Sequence, residues 1–127
     1  MAKKSAISGE YIVTVEDSGS IKVCKIYDNV LGSLREIAES VGMAYDDGWT
    51  TRQFGAKVIK EYGAGNMAEV GEYIVVKESS GSISTFRTYA NTIGALREIA
   101  ARVGFAYDSG WNTRQFGSKL VDFLNGK

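Results

Sequence analysis

Asp46, Trp49, Arg52 and Gln53 fall within one short stretch, and the same four residue types recur at the same spacing as Asp108, Trp111, Arg114 and Gln115. A guanidinium anchors anions and an indole offers a stacking face, so the set could form a small polar pocket written twice. The same spacing also builds a helix start. Thr50 as N-cap places Gln53 at the third helical position, which makes a capping box. Trp49 then stands just before the cap and Phe54 at the fourth position, the spacing of a hydrophobic staple. Trp111, Asn112, Gln115 and Phe116 repeat the arrangement, and Thr and Asn are both good caps. Asp46 suits the tight turn before Gly48, within pairing reach of Arg52. On this structural reading Trp49→Ala costs about 3–5 kcal/mol, as for other large buried aromatics. Arg52, Arg114, Tyr45 and Tyr107 are not used by the cap and remain candidate binding residues.

A second set lies on predicted strands. Lys25 and Tyr27, matched by Arg87 and Tyr89, alternate a cation with an aromatic along one face. Such a face can stack bases and meet phosphates, as single-strand binders do. Other chemistry is excluded by composition. There is no histidine, so no His-based triad, general base or metal ligand is available, and there is no proline. The single cysteine, Cys24, precludes an internal disulfide and suits a reducing cytoplasm. Its counterpart is Phe86, which reads Cys24 as a small core hydrophobe. The acids present in both copies, Glu10/Glu72, Glu16/Glu78, Glu36/Glu98 and Asp46/Asp108, form no clear acid–base pair. No phosphate loop, metal spacing or cofactor motif appears. The chain carries 15 basic and 15 acidic residues, a balance that disfavours an extended phosphate footprint. It has no apolar run long enough to span a membrane, and "MAKKSAISGEY" lacks the apolar stretch of a signal peptide.

The elements that must position these residues follow from an internal repeat. Residues 9–65 align with 71–127 without a gap, after a tail at 1–8 and with a connection at 66–70. The first copy has 6 basic and 9 acidic residues and the second 7 and 5, so the halves should attract each other. Each copy opens with two β-branched, aromatic-rich runs, "EYIVTVE" and "IKVCKIY" in the first, joined by "DSGS". That is a hairpin. A two- or four-residue loop would pair Glu16 with Ile21. Tyr11, Val13, Val15, Cys24 and Ile26 would then share one face, and Ile12, Thr14, Ile21, Val23, Lys25 and Tyr27 the other.

"NVLGSLREIAESVG" follows with Leu31, Leu34, Ile37, Ala38 and Val41 at helical spacing, Asn29 as cap and Gly42 as the left-handed stop. "LREIAESVG" resembles the first helix of a helix-turn-helix, but the loop from Gly42 to Thr50 exceeds the three or four residues that motif allows. A second helix runs from Thr51 to Tyr62.

The expected fold is α+β: two β-β-α-α units whose hairpins join in a four-stranded antiparallel sheet, with the helices on one face and a pseudo-twofold between copies, all in one compact domain. The expected function is binding, not catalysis. A protein partner or self-association through an open sheet face leads, and nucleic-acid binding through Lys25, Tyr27, Arg87 and Tyr89 is the alternative.

Overall fold

A computed structural model describes residues 4–126. Its strands are β1 (Lys4–Ser8), β2 (Tyr11–Val15), β3 (Ile21–Ile26), β4 (Met67–Val70), β5 (Tyr73–Lys77) and β6 (Ile83–Thr88), and its helices α1 (Val30–Val41), α2 (Thr51–Tyr62), α3 (Thr92–Val103) and α4 (Thr113–Leu124). The expected four-stranded sheet is therefore corrected to six antiparallel strands in the order β1-β2-β3-β6-β5-β4. The two additional strands occupy segments taken as tail and connection. β1 pairs with β2 from Lys4↔Val15 to Ser8↔Tyr11, and β4 with β5 from Met67↔Val76 to Val70↔Tyr73. Two-residue loops begin with Gly9 and Gly71, at φ 57° and 59°. A glycine with positive φ at the first loop position is the signature of a tight hairpin, and "GEY" carries it in both copies.

The β2–β3 register is also corrected. Glu16 N–H donates to Ser20 O at 2.8 Å and Gly19, at φ 93°, donates to Glu16 O at 2.9 Å. The loop thus has three residues, Asp17 to Gly19, ending in a left-handed glycine. Glu16 faces Ser20, and Val15 pairs with Ile21. An odd loop shifts the register by one, which turns every β3 side chain to the opposite face. Ile21, Val23 and Lys25 consequently stand beside Tyr11, Val13 and Val15, while Cys24 and Ile26 stand with Ile12 and Thr14. Both faces hold buried residues: Val13 and Val23 on one, Ile12, Thr14 and Cys24 on the other. The face expected to be open is not a solvated apolar surface.

Contacts divide the chain into two units that do not coincide with the repeats. One unit comprises residues up to Lys25 and from Thr88 onward; the other runs from Ile26 to Arg87. In the first, Tyr11, Val13, Val15 and Val23 pack with Leu96, Ile99, Phe116 and Leu120. In the second, Tyr73, Val75 and Ile83 pack with Leu34, Ile37, Phe54 and Val58. Each unit therefore joins the strands of one repeat to the helices of the other.

The links make this exchange local. Tyr27 N–H donates to Thr85 O at 2.9 Å, and Thr85 Oγ1 to Tyr27 O at 3.2 Å, which commits the chain after β3 to the second unit. Tyr89 N–H donates to Val23 O at 2.8 Å and does the same for the first. Gly55 and Gly117, in mid-helix, fit the exchange: an added Cβ would meet Ile83 Cγ1 and Ile21 Cδ1, each at 2.5 Å. The helical cost of glycine is offset by this close approach of helix to strand.

The helix ends are satisfied locally. Asn29 and Asn91 accept from Gly32 N–H and Gly94 N–H, and Gly42 and Gly104 close α1 and α3 in the left-handed conformation. Both α2 and α4 begin with a complete capping box. Among the described residues, no helix is long and apolar enough to cross a membrane.

Candidate functional site

The cations and tyrosines singled out on the strands do meet, but crosswise. In the first unit Lys25 Nζ lies 5.8 Å from the Tyr11 ring centroid and 5.3 Å from that of Tyr89, with Glu10 Oε1 at 3.7 Å. In the second unit the Arg87 guanidinium lies 5.7 Å from Tyr73 and 5.6 Å from Tyr27, and its Nε donates to Glu72 Oε1 at 2.7 Å. Sequence neighbours Lys25 and Tyr27 are thus assigned to different clusters. Tyr11 and Tyr73, outside the candidate residues read from the sequence, complete them. Each cation already faces two π-systems and a carboxylate, so a phosphate would have to compete with Glu10 or Glu72 for it. This pairing also holds the Arg87 pKa above its ordinary value, first through the hydrogen bond to Glu72.

The tyrosine hydroxyls tie the clusters to helices. Tyr11 OH donates to Glu98 Oε2 at 2.9 Å, and Tyr73 OH to Glu36 Oε2 at 2.7 Å. Burial, and next the hydrogen bond to the carboxylate, pushes each tyrosine from 10.0 up to about 12. Both act in the same direction, because ionisation would bury a phenolate beside a carboxylate. Since the folded state holds these protons more tightly than the unfolded one, their contribution to stability is complete below pH 10. It is lost as pH rises from about 10 toward 12. Urea denaturation across this range should show a falling midpoint, and Tyr11→Phe with Tyr73→Phe should flatten that fall. An unchanged slope in the double variant would contradict the assignment.

Arg52 and Arg114 act as clamps on hairpin turns. Arg52 donates to Ser80 O at 3.3 Å and to Ser82 Oγ at 3.4 Å. Arg114 donates to Ser18 O at 3.2 Å and to Ser20 Oγ at 3.3 Å. The turn gripped belongs to the other repeat in both cases, so these contacts are legible only after the exchange is known. Asp46 and Asp108 close their own turns, accepting from Gly48 and Gly110 N–H at 2.7 Å. Tyr45 stacks on Phe54 and Tyr107 on Phe116, at centroid distances of 4.9 and 4.6 Å. Trp49 and Trp111 meet the same phenylalanines edge-on, at 5.8 and 6.1 Å. The repeated motif is thus an aromatic platform beneath a capped helix.

What distinguishes the two units is the surface around that platform. In the first, Phe105 lies 4.9 Å from Phe123 with the two rings tilted; Phe123 is 42% exposed and Tyr107 39% exposed. The corresponding residues of the other repeat are Met43, Glu61 and Tyr45. In the second, Trp49, Gln53, Ala56, Lys57 and Lys60 line a shallow cleft of about 290 Å³. Among the described residues, no group of three or more histidine, cysteine or acidic side chains could hold a metal ion. Comparison with family models, curated proteins and solved structures returned no match.

Proposed function

We propose that the protein is a cytoplasmic, non-enzymatic binding module that engages a protein partner through the aromatic surface of the first unit. The observation that carries this reading is exposed Phe123, tilted against Phe105, together with exposed Tyr107, both Phe105 and Tyr107 packing on Phe116. Large aromatic rings left exposed together are the usual anchors of protein interfaces. They supply contact area with few side-chain rotors to immobilise. The other repeat has Glu61 where this one has Phe123, so the same scaffold carries a charged residue at that place. The cytoplasmic assignment is supported by the single cysteine of the chain, Cys24, which is buried.

Phe123→Glu reproduces the residue of the other repeat and is expected to leave the melting temperature nearly unchanged, because Phe123 is already 42% exposed. It should reduce partner capture, or self-association in sedimentation, by at least about tenfold, the range of an interface anchor. If the unsubstituted protein stays monomeric at high micromolar concentration and captures no partner that Phe123→Glu fails to capture, the reading is wrong.

A further inference from the structure

The two copies of the groove beside α2 and α4 have diverged in charge. In the first unit Val15, Gly19, Arg114, Gln115, Ser118, Lys119 and Asp122 line a cleft of about 400 Å³. Within it, Asp122 pairs with Lys4 at 2.7 Å. The corresponding positions of the second unit are Lys77, Gly81, Arg52, Gln53, Ala56, Lys57 and Lys60. A valine and an aspartate have been replaced by two lysines, leaving four cations and no carboxylate at these seven places. Two adjoining clefts there share Ala56 and Lys60, and Lys77 lines the second, of about 380 Å³. Lys57, Lys60 and Lys77 are exposed and make no ion pair among the described residues.

We propose that this groove of the second unit binds single-stranded nucleic acid, with Lys57, Lys60 and Lys77 on phosphates and Trp49 under a base. Lys57 Nζ stands 5.9 Å from the Trp49 ring centroid, so a cation and a stacking face already adjoin. That pairing is the working unit of single-strand grooves. Gln53 accepts from Thr50 N–H through Oε1 at 2.8 Å, which leaves its Nε2 hydrogens for an acceptor in the cleft, such as a base carbonyl. An acidic peptide would share the charge but would not use the indole, and carboxylates are gripped best by arginine forks. The one arginine here, Arg52, is already held by Ser80 and Ser82. Lysine ammonium groups have no fork to satisfy and suit a phosphate chain. This site lies in the other unit from the aromatic surface proposed for protein binding and shares no residue with it.

The test is a titration of the full chain with a labelled oligothymidylate at two salt concentrations, beside a polyglutamate of equal length. Three phosphate contacts imply a salt slope near −2 for a single strand, hence a loss of about 20-fold in affinity between about 50 and 200 mM salt. Lys60→Asp combined with Lys77→Val, the residues of the first unit's groove, should weaken binding at least about tenfold and flatten the slope. In a Trp111→Phe background the oligonucleotide should quench the remaining indole, Trp49. Phe123→Glu should leave all of this unchanged. Absence of binding at about 20 mM salt, binding indifferent to the double substitution, or polyglutamate binding as tightly as the oligonucleotide would each overturn the proposal.

Discussion

Residues 66–127 alone, the second repeat with the connection that precedes it, are expected to be unfolded as a monomer and to fold only as a dimer. Within the intact chain the hairpin of this repeat packs on Leu34, Ile37, Phe54 and Val58, all of which the fragment lacks. Its helices, in turn, lose Tyr11, Val13, Val15 and Val23. Only Tyr89, Ala90 and Asn91 separate β6 from α3, and Tyr89 N–H is bonded to Val23, outside the fragment. So short a link gives α3 little freedom to turn back over its own strands. Two copies can instead exchange hairpins, each fragment supplying strands to the other's helices, which is domain swapping made intermolecular. The loss in the monomer is the full folding free energy, on the order of 5–15 kcal/mol. Helical circular dichroism should therefore be low at about 1 µM fragment and rise steeply with concentration, with a melting temperature that depends on it. A fragment that sediments as a monomer and melts cooperatively at low concentration would show that a repeat can close on itself.

The next largest expected effect is at Phe54. It is 1% exposed, is stacked by Tyr45, is met edge-on by Trp49 and joins α2 to Tyr73, Val75 and Ile83. Phe54→Ala opens a cavity with aromatic groups on two sides and should cost about 4 kcal/mol, read from chemical denaturation. Trp49 is only partly buried, because it lines a surface cleft. Its loss should be milder than its size suggests, about 2 kcal/mol, since less of the ring leaves water on folding. The order of the two costs is the informative result. If Trp49→Ala costs more than Phe54→Ala, then the indole and not the phenyl ring is the keystone of this end of the helix.

The readings that succeeded from sequence were those with local causes. Asn29, Thr50 and Asn112 cap helices through hydrogen bonds to residues three positions ahead, so spacing alone reveals them. The apolar stripes of α1 and α3, and the glycines that stop them, obey a period that needs no partner to be seen. β1 was harder. "KSAIS" holds little apolar surface, and its burial at Ala6 and Ser8 comes from strands and helices elsewhere in the chain. Its one local signal was the Gly9-Glu10 turn. The β3 register failed for a different reason: loops of two, three or four residues fit "DSGS", and only the backbone of Gly19 selects three. That single residue decided which side of the sheet Lys25 occupies.

By itself, then, the sequence determined the duplication, the helix limits with their caps, the existence of the β2–β3 hairpin and the chemistry that histidine-free composition removes. Tertiary structure alone decided which strands meet which helices. The two repeats are so similar that their local preferences cannot distinguish packing on the same copy from packing on the other. Short links at Tyr27–Asn29 and Tyr89–Asn91 settle the choice through long-range hydrogen bonds. The roles of Arg52 and Arg114 follow from that choice, because the turns they hold are distant in sequence and adjacent only once the strands have exchanged.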